Sequence, residues 1–267
     1  RVATLSLGGT DVIVPSTAAG KLDGGAMDPT TWGSVFWTSP RSAWTPVTWP
    51  PPPNIDNAAY TASISGGTHA VFNGMTDTSI GVAMAKDYSV DATSGWISIA
   101  YTIKATKAQK AAPWEVSRVP RGGLTFFPVP GASSVTNQVP LTIMQTGSSP
   151  TIVWFDDAAK TATSPNGDKL YADGSGGWTA YVLNGILFLK KFTDIPASAQ
   201  PTGEGEVDVY PGNGFLEFEV EGPYTMIAAN GSLPWSIQWK VVKVPSGTSI
   251  TAGSTQLLNF VMQQLAM

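Results

Sequence analysis

The chain has 267 residues, a net charge of −4 and only 13% charged residues, so it lacks the basic footprint of a nucleic-acid or anionic-membrane binder. It has no cysteine and one histidine, which excludes disulfides, thiol catalysis, zinc–thiolate sites and any multi-histidine metal centre. No apolar run reaches the roughly 18 residues of a membrane helix, and the 28 glycines, 21 prolines and 10 tryptophans suit an all-β chain with many turns.

Residues 1–15 read as two short strands around Gly8–Gly9. Next comes 32–53, WGSVFWTSPRSAWTPVTWPPPP, with four tryptophans and six prolines. Proline fixes φ and cannot donate to a ladder, so this segment is expected to be a long loop rather than a central strand or helix. Pro50–Pro53 would stiffen it as polyproline. Trp37, Trp44 and Trp49, with Arg41 between them, form either a sugar-stacking platform or a satellite core capping one end of a sandwich.

Residues 58–104 read as a meander of short strands, Tyr60–Ser65, Thr68–Phe72, Ile80–Lys86 and Trp96–Lys104, separated by Gly and Asn/Asp turns. His69 lies in this meander, as a structural or a catalytic residue. In 112–130, APWEVSRVPRGGLTFFPVP, period-two alternation puts Trp114, Val116 and Arg118 on one strand face and Glu115, Ser117 and Val119 on the other. Pro120 ends that strand, and Arg121-Gly122-Gly123 begins a turn into Leu124–Val129. Arg118 beside Trp114 reads as a polar anchor in a cleft, or as an arginine paired at a strand end.

Val139–Gln145 and Thr151–Phe155 continue the strand pattern. Asp168 and Asp173 lack calcium-loop spacing and read as turn formers. Ile186–Phe192 is apolar on both faces until Lys190 and Lys191, as expected of a central strand whose lysines emerge into a cleft or at an edge. In 215–221, FLEFEVE, Glu217, Glu219 and Glu221 share one face, which is either plain solvent-facing surface or the wall of a groove lined by cations. Residues 254–267 form a short amphipathic C-terminal helix.

The order WTSPRSAW, WPPPP, PWEVSRVPRGG, LFLKKF, FLEFEVEGPY and SLPWSIQWKVVKVP resembles a bacterial family of unknown function in the galactose-mutarotase-like superfamily, over roughly residues 30–245. The resemblance implies one all-β domain over 1–267. Its architecture would be a β-supersandwich of two large antiparallel sheets, with a mono- or oligosaccharide site on the concave face. Enzymes of this superfamily use a late-strand glutamate as base, a place Glu217 can fill, and histidines as acid, for which this chain offers only His69. Arg118 and Lys190 would then position the sugar, with Trp37, Arg41, Trp44, Trp49, Trp114, Arg121 and Glu219 completing the binding set. No cofactor, metal, nucleic acid or membrane partner is expected. Low charge and abundant Ser and Thr favour a secreted or periplasmic protein. Three functional readings remain open: a carbohydrate-active enzyme, a glycan-binding protein without catalysis, and a structural or partner-binding sandwich.

Overall fold

The computed structural model describes residues 1–46, 48–137, 143–159 and 169–267. Asp168 and the start of the expected 139–145 strand lie outside them. The Met144–Thr146 part of that strand is described.

Two antiparallel sheets dominate. Ten strands run in the order Met144–Thr146, Thr151–Asp156, Leu124–Val129, Trp178–Leu183, Ile186–Phe192, Ser232–Lys243, Ile97–Ala105, Val82–Val90, His69–Asn73 and Thr61–Ser65. The meander read from the sequence is therefore one end of this sheet. The second sheet has seven strands. Val135–Asn137, Leu170–Ala172, Val207–Pro211, Leu216–Glu221 and Gln109–Val119 pair in that order, and Gln109–Val119 pairs in addition with both Thr225–Ile227 and Ser34–Ser39.

Ser34–Ser39 corrects the expectation of a continuous loop over 32–53. Its six residues contain no proline, all are buried, and Pro40 ends the strand. The prolines therefore sit outside the ladder, and Pro53 opens the one-turn helix Pro53–Asp56.

Period-two alternation closes the sandwich. Leu216, Phe218 and Val220 are fully buried against the ten-stranded sheet, where Phe218 meets Phe188 edge-on at 5.6 Å. The far face of that larger sheet, including Phe126, Trp154, Trp178 and Leu189, is covered by the helix Thr255–Leu265 through Leu257 and Val261. Ser254 caps this helix by accepting from the Leu257 amide.

Lys190 also corrects an expectation. Its side chain is fully buried between the sheets, where Nζ donates to Glu115 Oε2 at 2.5 Å and to the Phe218 carbonyl at 2.6 Å. Glu115 is held further by the hydroxyls of Ser34 (2.7 Å) and Ser117 (2.6 Å). Strand parity is the reason: Glu115 and Ser117 point inward from the seven-stranded sheet, toward Lys190. The lysine clamps the two sheets instead of reaching a cleft. Removing one partner strands the other charge in a dry interior, so Lys190→Ala should lower unfolding stability by about 3–5 kcal/mol. The Lys190→Met/Glu115→Gln double variant should recover part of that loss. Urea unfolding of the three proteins checks both.

Candidate functional site

The outward face of the seven-stranded sheet is built from residues of one parity on adjoining strands. Register places Tyr171 opposite Asp208, Asp208 opposite Glu219, and Glu219 opposite Val116. One row along, Tyr210 faces Glu217 and Glu217 faces Arg118, and in a third row Glu221 faces Trp114 and Trp114 faces Trp37. A single face therefore gathers four acids, an arginine and four aromatic rings.

A cleft of about 720 Å³ opens over it. Its lining includes the aromatic rings of Trp37, Trp49, Trp114, Tyr171, Tyr210 and Phe215, together with Arg41, Lys169, Glu204, Asn213 and Glu217. Lys21, Asp28, Thr30 and Thr31 contribute from the N-terminal segment. Trp49 is 43% exposed and stands edge-on to Trp37 at 5.9 Å. Trp37 in turn lies against Trp114 at 5.2 Å. A separate hollow of about 540 Å³ beside Trp32 offers one carboxylate, Asp56, already paired with Arg1 at 3.0 Å. The larger cleft carries the chemistry.

Glu217 is the acid of this strand that reaches the cleft. Arg118, fully buried, donates from Nε to Glu217 Oε1 at 3.0 Å and stacks its guanidinium over Trp37 at 4.9 Å. Burial pushes the Glu217 carboxyl up to about 7, against the pull of Arg118 and with the help of the Glu219 charge. A carboxyl group with that affinity holds or releases a proton near neutral pH.

Glu219 lies beneath the lining. Its Oε2 accepts from the Trp114 indole at 2.6 Å and from Lys169 at 2.9 Å, so it orients those two groups rather than facing a ligand. Lys169 also lies 3.0 Å from Asp208 and 4.0 Å from Glu204. Burial disfavours its ammonium, but Asp208, Glu219 and Glu204 outweigh that and hold its pKa well above the usual lysine value.

The structure thus brings Trp37, Arg41, Trp49, Trp114 and Glu217 to one cleft, with Arg118 directly beneath. Other residues of the expected set lie elsewhere. Trp44 is buried under Trp37 and Trp114, its indole donating to Thr38 at 2.9 Å, so it props the cleft wall. Arg121 points away, with Nε and Nη2 gripping Asp157 at 2.6 and 2.7 Å. His69 sits exposed near the free edge of the ten-stranded sheet and meets Asp87 at 2.8 Å, far from the aromatic lining in the fold. Reasoning from sequence missed Lys169, Tyr171, Glu204, Asp208 and Tyr210. The alternation of Glu204, Glu206, Asp208 and Tyr210 was its available sign.

Two solved structures share the architecture: a candidate aldose 1-epimerase from Escherichia coli K12, at 8% identity and a TM-score of 0.54, covering 91% of this chain and 92% of that one, and a candidate mutarotase from Salmonella typhimurium, at 10% identity and 0.50, covering 90% and 82%. Their likeness defines the class: the chain has a galactose mutarotase-like β-supersandwich fold. Within that class it belongs to the family described as domain of unknown function DUF4380, whose model matches residues 17–242. No curated protein matches it at the sequence level.

Burial sets a pH dependence. Glu217 rises to about 7, and Asp208 and Glu206 to about 8, each chiefly through desolvation. The folded protein therefore binds more protons than the unfolded chain above the ordinary carboxylate pKa of about 4.5. Stability carried by these protons is complete below that pH and is lost as pH rises through 7 to 8. Thermal unfolding between pH 5 and 8 should show Tm falling, and Glu206→Gln, a change outside the cleft, should flatten the fall.

Proposed function

We propose that the protein binds a mono- or oligosaccharide in the cleft over the seven-stranded sheet, with Glu217 as the proton-transfer group. The observation that carries this reading is the juxtaposition of Glu217, poised near neutrality, with Trp37, Trp49 and Trp114 in one cleft. Pyranose rings offer C–H faces to indoles and hydroxyls to charged groups, and this cleft presents both, with aromatic rings beside Arg41, Lys169, Glu204 and Glu217. The fold, shared with proteins described as candidate epimerases and mutarotases, supports the same ligand class.

Opening a pyranose ring at the anomeric carbon requires a base for the anomeric hydroxyl and an acid for the ring oxygen. Ionised Glu217 supplies the base, held in place by Arg118. The acid role cannot fall to His69, which is remote, and Lys169 keeps its proton too tightly to donate it well. Tyr210, opposite Glu217 across the ladder and in the cleft lining, is the hydroxyl nearest in register to the base. A second reading, glycan binding without turnover, is favoured by the same distance of the histidine from the cleft.

Exchange NMR on common aldoses and uronates, with calorimetry on the same sugars, separates the two. Catalysis predicts an interconversion rate that rises with pH through about 7, as Glu217 loses its proton, and that falls at least about a hundredfold in Glu217→Gln while affinity persists. Binding alone predicts heat but no exchange above the uncatalysed rate. Trp49→Ala should weaken binding by about tenfold in either case, through loss of an exposed stacking ring. Failure of any sugar to bind overturns the proposal.

A further inference from the structure

Behind the cleft wall, Glu204, Asp208 and Glu221 each offer a carboxylate oxygen, and the three oxygens lie within 4.8 Å of one another. Asp208 is fully buried and Glu221 only 1% exposed. The partners of these acids are incomplete. The Ser39 hydroxyl lies beside Glu221 and favours its charged form, but neither Glu221 oxygen has a hydrogen bond of good geometry. Asp208 Oδ2 lies against Lys169, while its Oδ1 has no hydrogen bond. Buried carboxylates are ordinarily satisfied by donors or by a cation, because leaving them bare in a dry setting is costly. Lys169 is the cation in contact here, and it is already shared between Glu219 and Asp208. Among the described residues, its ion pairs reach Asp208, Glu219 and Glu204 but not Glu221.

The backbone also makes room. Gly205 sits so close that a Cβ there would lie 2.5 Å from Asp208 Oδ1 and 2.6 Å from the Ala172 amide nitrogen, so only glycine lets the Glu204 turn approach the sheet. The donor set is oxygen alone, which selects a hard cation over zinc or copper. All three oxygens fall within the span of one Ca²⁺ shell, whose opposite ligands stand about 4.8 Å apart, and a buried set of protein oxygens suits Ca²⁺ better than Mg²⁺, which gives up its waters reluctantly. Glu204 lines the cleft, which gives an entry path.

We propose that Glu204, Asp208 and Glu221 form a calcium site, with Ca²⁺ supplying the positive charge that Lys169 alone does not. The site is independent of the carbohydrate reading, and none of its three ligands is the proton-transfer group. Its spacing in sequence, three positions spread over a turn and two strands, follows no calcium-loop pattern.

The test uses the full chain, stripped with chelator and assayed at pH 7.5 by calorimetry with Ca²⁺ and by Tb³⁺ luminescence excited through the tryptophans, since Trp114 lies beside Lys169. One Ca²⁺ should bind per chain, Ca²⁺ should displace Tb³⁺, and Mg²⁺ should compete at least about tenfold more weakly. Glu204→Gln and Glu221→Gln should each lower Ca²⁺ affinity about tenfold or more with circular dichroism unchanged, while Glu206→Gln, another buried acid outside the trio, should leave it within about twofold. If Glu221→Gln fails to fold, Glu204→Gln, on a turn at the cleft surface, decides alone. Absence of Ca²⁺ binding by the folded wild-type chain up to about 10 mM overturns the proposal. So does binding that Glu204→Gln leaves undiminished.

Discussion

One strand, Gln109–Val119, carries a charge to each side of its sheet, and the rest of the molecule is arranged around satisfying both. Glu115 points inward and meets Lys190 from the opposing sheet, a contact that joins the two layers in a fully buried interior. Arg118 points outward and lies under Glu217, so the acid facing the cleft is held from below. A shift of register by one residue would exchange these faces, stranding both charges. Such a strand has one tolerable pairing with Ser34–Ser39 and Leu216–Glu221, and that pairing fixes where every group of the cleft stands.

The cleft follows from the same rule applied across neighbouring strands. Acids and rings of matched parity, with Lys169 among them, make a polar floor with aromatic walls. Because most of these groups are shielded from water, their proton affinities are coupled: Glu217, Asp208 and Glu221 are all pushed upward, while Lys169 is held charged among them. Such a floor is sensitive to any added positive charge, whether from a proton or a metal ion.

Much of the fold was legible because burial imposes period two. The meander of 58–104, the two faces of Trp114–Val119, the acidic face of Glu217, Glu219 and Glu221, and the C-terminal helix all follow from side-chain alternation or helical spacing. The site was legible only in part. Arg118 and Glu217 are far apart in sequence yet face each other, and their parity suggested it. Lys190 misled because alternation tells which residues share a face but not whether that face looks outward or into the sandwich. Ser34–Ser39 was hidden by the density of Trp and Pro around it, since proline content over a window obscures a six-residue stretch free of proline. Lys169 stands just outside the strand Leu170–Ala172, where no periodicity marks it.

The central claim is that ligand recognition belongs to the outward face of the seven-stranded sheet. Indole N–H resonances report it directly, because the tryptophans are distributed between that cleft and the opposite, helix-covered side of the molecule. In a titration with a bound sugar, followed by ¹H–¹⁵N NMR, the account predicts shifts at Trp37, Trp49 and Trp114, with Trp154 and Trp178 unmoved. Shifts confined to Trp154 and Trp178 would contradict it.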